Sequence, residues 1–260
     1  MWGCWATTAI YNFNLMQMKI ENIVRKRIPD DGQHIWGFAN LTGLLHRRFR
    51  GYDYGIVIGK KLDDGIVDSV INGPTMKYCN HYIDTNNYLA GLVKELAEDL
   101  RAAGIKSLAL NPTPNEVYRA DDYDRTLRHN FSHKMVATRA GLGWIGKTDL
   151  FISKKFGPRL RLASVLVDYP LKPSNPPIDE SKCGKCNLCV EACPAQAATG
   201  KLWNIHVDRD EFYSARKCKE TASRLTLERI DRDMRLCGIC VSVCPVGKPR
   251  TKFGKELNSV

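Results

Sequence analysis

CGKCNLCVEACPAQA, residues 183–197, sets Cys183, Cys186, Cys189 and Cys193 in a C-x2-C-x2-C-x3-C run closed by Pro194. A shorter copy, CGICVSVCPVGK (237–248), repeats the pattern with Cys237, Cys240, Cys244 and Pro245. Thiolates at this spacing hold iron–sulfur cubes: three ligands come from one tight loop, and the cysteine before the proline serves the other cube of a pair. That rule gives a first cluster Cys183, Cys186, Cys189 and Cys244. A second cluster receives Cys193, Cys237 and Cys240 and needs one more thiolate, for which Cys218 in SARKCKET is the remaining cysteine of this section. Paired C-x-x-C units also occur in zinc ribbons, but zinc does not require the four-cysteine run ending in proline.

A carrier of two clusters needs only a section the size of residues 183–247, because the clusters themselves supply the redox chemistry. The long stretch before it points to a second centre that receives the electrons. Residues 169–182, YPLKPSNPPIDESK, carry four prolines and read as a connection. The expected organisation is an N-terminal domain over 18–172, a ferredoxin-like domain with two 4Fe–4S clusters over 173–247, and a basic tail over 248–260. In the first domain YGIVIGKKL (54–62) reads as a buried strand, and NNYLAGLVKELAEDLRAAG (86–104) as an amphipathic helix stopped at Gly104. SLALNP (107–112) follows as a strand, HKMVATRAGLG (133–143) as a helix with a glycine exit, and residues 149–168 as two strands around KKFGP. The fold class is therefore mixed, α/β or α+β, joined to the cluster domain.

The 39 Lys and Arg against 28 Asp and Glu give a formal charge of +11, which favours an anionic partner such as an acidic redox protein, a phosphate-bearing cofactor or nucleic acid. No run approaches the roughly 20 apolar residues of a membrane span, and residues 1–17 lack the basic leader and cleavage site of a secretory signal. The cytoplasm is the expected compartment, with Met16 or Met18 as the start. Cys4 and Cys79 fall outside the cluster pattern and read as ordinary thiols.

The other distinctive stretch is ATRAGLGWIGKTDLFIS (137–153). Gly143 and Gly146 permit close backbone approach, Trp144 offers an apolar plane and Lys147 a cation, so these four are the candidate cofactor-binding residues. The glycines do not sit between a strand and a helix as a dinucleotide fingerprint requires.

AGLGWIGK, then FGPRLRLASVLVD, CGKCNLCVEACPAQA, a lone cysteine and CGICVSVCPVGK together resemble epoxyqueuosine reductases, over roughly residues 50–247. The resemblance implies a cobalamin-binding domain, related to that of reductive dehalogenases, ahead of a double 4Fe–4S domain that feeds electrons to cobalt. It implies the same ligand scheme, Cys218 included. The sequence departs from the family at two places. Where the family has an Asp-Tyr-His triplet this chain has Asn87, Tyr88 and Leu89, and the family's acidic proton donor falls on Leu127, which cannot donate. The family's helical-repeat extension, which helps grip tRNA, does not follow Gly247. These departures point to an iron–sulfur reductase with a substrate other than epoxyqueuosine. The alternative is an electron-transfer partner without substrate chemistry of its own.

A reductive step needs an acid near the reacting atom, and Tyr82 and His133 are the candidates. His129 and His133 stand four apart, a spacing that would place both on one helical face as a metal pair or proton relay. Implied partners are a ferredoxin- or flavodoxin-type donor and a corrinoid or small-molecule substrate, with tRNA as a secondary expectation because the tail has only Phe253 among its cations.

Overall fold

The strand around Val57 is apolar on both sides, and the fold covers both. The computed structural model describes residues 3–113 and 119–248, with side chains from residue 13 onward. Its elements run α1 (Gly3–Arg27), β1 (His34–Asn40), β2 (Tyr54–Lys61), α2 (Asp64–Asp68), α3 (Met76–Ala102), β3 (Ser107–Leu110), α4 (Tyr123–Thr126), α5 (His133–Arg139), β4 (Gly143–Ile145), β5 (Phe151–Ser153), β6 (Leu160–Val167), α6 (Leu188–Glu191), α7 (Arg209–Phe212), α8 (Ala215–Ile230) and α9 (Ile239–Val243). Residues 249–260, most of the expected basic tail, lie outside the described residues, as does the side chain of Cys4.

The central sheet has the order β1-β2-β6-β3, and every neighbouring pair is antiparallel. Side chains alternate across it. Ile56 and Ile58 of β2 and Ala163, Val165 and Val167 of β6 face α1 and α3, where Ile20, Val24, Leu89, Val93, Leu96 and Leu100 are fully buried. Val57, Leu160, Leu162 and Leu166 face the opposite side, under α5 and the small β4-β5 ribbon. Burial on both faces explains why these strands read as continuous apolar runs rather than alternating ones. Each fully buried Leu or Ile there contributes about 1.5–3 kcal/mol relative to exposure.

Helix α3 begins ten residues ahead of Asn86, where the sequence expectation placed it. Thr75 caps it, its hydroxyl accepting from the Tyr78 amide at 3.2 Å. The early turns bury Tyr78 and Cys79, whose polar tips hide the helical period. They pack not on the sheet but against Leu236, Val241 and Met234 of the cysteine section. One helix thus touches both halves of the chain.

Two further contacts join the halves. Arg159 is fully buried and bonds Asp64 Oδ1 at 3.2 Å, Asp68 Oδ1 at 2.6 Å and the Ser242 carbonyl of α9 at 3.1 Å. Beside it, Gly157 (φ +57°) and Gly247 (φ +77°) meet backbone to backbone. A Cβ on Gly157 would lie 1.8 Å from the Val246 carbonyl oxygen, and one on Gly247 would lie 2.1 Å from Phe156 carbonyl carbon. The turn before β6 therefore sits directly on the Pro245–Gly247 turn that follows Cys244.

Candidate iron–sulfur centre and adjoining cleft

The cysteines arrive on short, tightly turned elements. The Cys186 amide donates to the Cys183 carbonyl at 3.2 Å, bending the chain so that α6 carries Cys189. Cys218 lies in the first turn of α8, which Ser214 caps, and its amide donates to the Ser214 carbonyl at 3.2 Å. Gly238 enters α9 at φ +89°, α9 carries Cys240, and the helix ends at Cys244.

Two groups of thiols result. Burial pushes the Cys244 thiol up to about 11, and the thiols around it that add to the effect are Cys189, Cys183 and Cys186. Cys189 is likewise raised, by burial first and then by Cys183 and Cys186. On the other side Cys218 is raised by burial and by Cys193, and Cys237 by burial, Cys218 and Cys193. Cys240 is raised by burial, then by Cys237, Cys218, Cys189 and Cys193. The fold thus gathers Cys183, Cys186, Cys189 and Cys244 in one group and Cys193, Cys218, Cys237 and Cys240 in a second, with Cys240 and Cys189 where the groups adjoin. Thiols buried this way resist ionisation unless a metal centre supplies the compensating charge. Among the described residues no three His, Cys, Asp or Glu side chains converge closely enough for a single metal ion.

Segment 143–149 runs between these thiols and a cleft. Trp144 Nε1 donates to Cys183 Sγ at 3.4 Å, and Lys147 Nζ donates to the Cys186 carbonyl at 2.9 Å and Asn187 Oδ1 at 2.7 Å. Thr148 hydrogen-bonds Cys189. Gly143 packs on the backbone of β5, where a Cβ would lie 2.0 Å from the Ile152 carbonyl oxygen; Gly146 packs on the Ile152 side chain. The glycines thus serve the close β4-β5 ribbon, while Trp144 and Lys147 turn toward the first cysteine loop. Ile145 and Asp149 turn the other way, into a cleft of about 690 Å³ whose wall includes Leu127, Phe131, Met135, Trp203 and Arg209. Asp149 also lies close enough to Cys218 to raise its thiol.

A smaller cavity of about 230 Å³ holds His133 and Arg161 and shares Phe131, Ser132 and Lys134 with the cleft. His133 is buried, with Nδ1 2.9 Å from Ser164 Oγ and Nε2 2.8 Å from the Asn111 carbonyl. Burial holds it down at about 4, against the Asn111 bond and with help from the Arg161 charge. Nε2 therefore donates to Asn111, Nδ1 accepts from Ser164, and the ring is neutral. The helical pairing with His129 that the spacing allows does not form: α5 starts at His133, and the His129 ring lies ahead of it against Tyr123, 4.9 Å between centroids. Tyr82 carries the Arg161 guanidinium over its ring at 4.3 Å. Burial raises its hydroxyl, but the Arg161 charge and hydrogen bonds with Asn86, Thr113 and Arg161 outweigh that and leave it lowered. Leu127 lines the cleft in a left-handed conformation, φ +53°; Asp124, the nearest carboxylate upstream, does not line it.

Sequence reasoning passed over Thr148, Asp149, Arg159 and Tyr213, whose hydroxyl hydrogen-bonds Cys218. The available signal was proximity: Tyr213 stands five residues before Cys218, and Thr148 and Asp149 directly follow Lys147.

Residues 182–247 match the family model described as a 4Fe-4S double cluster binding domain, so this section of the chain is a domain of the two-cluster iron–sulfur class. Its sequence is similar to epoxyqueuosine reductases. It is 34% identical over 112 residues to that of Pseudomonas aeruginosa, an alignment covering 43% of this chain and 30% of that protein. The chain thus spans about a third of the length of such relatives. A crystal structure of epoxyqueuosine reductase with an epoxyqueuosine-modified tRNA stem loop superimposes with a TM-score of 0.57 at 16% identity, covering 90% of this chain and 66% of the other. A reductive dehalogenase, described with a mechanism for B12-dependent dehalogenation, superimposes at 0.58 with 17% identity, covering 84% and 30%. The mixed helix-and-strand fold is shared with both. No helix among the described residues is long and apolar enough to cross a membrane.

Proposed function

We propose that the chain is an iron–sulfur reductase whose two 4Fe–4S clusters pass electrons singly to a corrinoid held in the 690 Å³ cleft, for reduction of a substrate other than epoxyqueuosine. The carrying observation is the position of segment 143–149, which contacts Cys183, Cys186 and Cys189 on one side and forms cleft wall on the other. In this reading residues 18–172 supply most of the cofactor cleft, Trp203, Ile205, His206 and Arg209 complete its wall, and residues 173–247 hold the clusters with the ligand sets given above. The cleft's wall would meet a corrinoid with apolar contact from Leu44, Phe131, Met135, Ile145, Trp203 and Ile205, while the Ser132 hydroxyl caps α5 and the Thr138 hydroxyl donates to the Met135 carbonyl. When bound, the corrinoid supplies a cobalt centre that accepts electrons one at a time.

The chain's own residues then have separate tasks. Trp203 and Ile145 exclude water from the side nearest the thiols. Tyr82, which lines neither cavity, holds a proton at a hydroxyl made more acidic by Arg161, and Arg161 itself lines the smaller one. His133, neutral and doubly bonded, ties the Ser164 hydroxyl of β6 to the Asn111 carbonyl and supplies no proton to a substrate. Cys186 lies on the exposed side of the first loop, the face open to a ferredoxin- or flavodoxin-type donor.

Anaerobically reconstituted protein is titrated with hydroxocobalamin and followed by its visible spectrum and by gel filtration. Retention of about one corrinoid per chain with a shifted spectrum is expected from a single such cleft. A protein with intact clusters that neither retains the corrinoid nor shifts its spectrum is a carrier without substrate chemistry, and the reductase reading fails.

A further inference from the structure

Lys147 is 3% exposed, yet its ammonium meets only neutral groups, the Cys186 carbonyl and Asn187 Oδ1. Among the described residues it has no carboxylate partner. A charge this deeply buried requires a counter-charge. The two acceptors hold it directly beneath the Cys183–Cys189 loop, where four thiolates around one cube would leave a net negative centre. Trp144 is 9% exposed and aims its only N–H at Cys183 Sγ, while Thr148 bonds Cys189. Three side chains of one five-residue stretch thus converge on one group of ligands. The second group has a different environment: Tyr213 bonds Cys218 and Asp149 adds negative charge nearby.

We infer that Lys147, Trp144 and Thr148 form a cradle that sets the reduction potential of the first cluster, Lys147 as its buried counter-charge and the other two as donors to its sulfurs. The inference rests on the ligand sets of the proposed function, though not on the corrinoid. Reduction adds one electron to the cube and no proton, so its negative charge grows by one. A fixed cation and sulfur-directed donors favour the more negative state and raise the potential. Each position is a tuning residue, acting through the ligands rather than on a substrate.

The test is a dithionite-poised redox titration of the anaerobic two-cluster protein, read by electron paramagnetic resonance. Lys147→Met removes the charge at similar length; Trp144→Phe keeps the ring and removes the N–H. For Lys147→Met the reduced-to-oxidised ratio of one cluster at fixed potential should fall about tenfold, a 59 mV negative shift for one electron. Trp144→Phe should shift the same cluster in the same direction by less, the other cluster should keep its midpoint in both, and Lys147→Arg should restore it. If Lys147→Met loses iron, Trp144→Phe decides alone. Two intact clusters with unmoved midpoints overturn the inference; a wild-type protein with fewer than two clusters overturns the ligand reading beneath it.

Discussion

Replacing Gly157 by alanine should cost the protein its first cluster. Gly157 has φ +57°, and its added Cβ would lie 1.8 Å from Val246 O and 2.6 Å from Val246 C. The left-handed conformation costs a non-glycine residue about 1–2 kcal/mol. The contact is the larger effect, because the obstacle is backbone and no rotamer relieves it. Ordinary separation requires a retreat of roughly 1.5 Å by the turn after Cys244, with overpacking of about 1–3 kcal/mol if the turn resists. Metal–ligand distances tolerate only about 0.2 Å, and the Val246 amide that bonds Cys244 moves with the turn. The combined loss is on the order of 2–5 kcal/mol, and at about 2–4 °C per kcal/mol the melting temperature falls by roughly 4–20 °C. Iron and acid-labile sulfide should drop to about half of wild type, with one cluster's resonance signal gone. Gly104→Ala is the control: its φ is +87° but nothing lies within 4 Å of the new Cβ, so it should lose only the left-handed backbone cost of about 1–2 kcal/mol and no iron. Full iron and an unchanged melting temperature in Gly157→Ala would refute the claim that this turn holds Cys244 in place.

Other outcomes follow from the buried polar groups. The unfolded chain protonates His133 near 6.5, whereas the folded one does so only at about 4. Its contribution is therefore present in full above pH 6.5 and is lost as pH falls toward 4, on the order of 3 kcal/mol across that window. Denaturant unfolding at pH 7.5 and pH 5 should show a smaller difference for His133→Gln than for wild type; equal differences would show that His133 is not the buried neutral group described. Removing the Arg161 charge by Arg161→Leu should raise the Tyr82 hydroxyl, because that charge is the leading cause of its lowering. Labelled-tyrosine NMR titration checks this, and an unmoved or lowered Tyr82 contradicts it.

What the sequence could reveal followed from how local each signal was. The apolar runs of β2, β3 and β6 depend on burial over a few residues, and the mixed fold class emerged from them. β1 was missed because HIWGFAN breaks its apolar face with His34, Gly37 and Asn40. The first turns of α3 were missed because Tyr78 and Cys79 bury polar-tipped side chains against the cysteine section, a contact more than 150 residues away in the chain, as the Cys79–Met234 pair shows. The stretch around Trp144 announced itself by its glycines, but composition cannot say which way side chains turn. The structure aims Trp144 and Lys147 at the first cysteine loop and Ile145 and Asp149 at the cleft, with β4 itself ending at Ile145. Cysteine spacing is a local signal of the same kind: the runs and their prolines assign Cys183, Cys186, Cys189, Cys193, Cys237, Cys240 and Cys244, while Cys218 stands outside them and reaches its group through α8.

The central claim, two cubes that share their cysteines across the two runs and draw on Cys218, is tested most directly by iron and acid-labile sulfide measured on anaerobically purified wild type and Cys218→Ala. The account predicts two cubes in wild type and about half the iron in the variant, with the cluster bound by Cys183, Cys186, Cys189 and Cys244 left intact. Full iron in Cys218→Ala would contradict it.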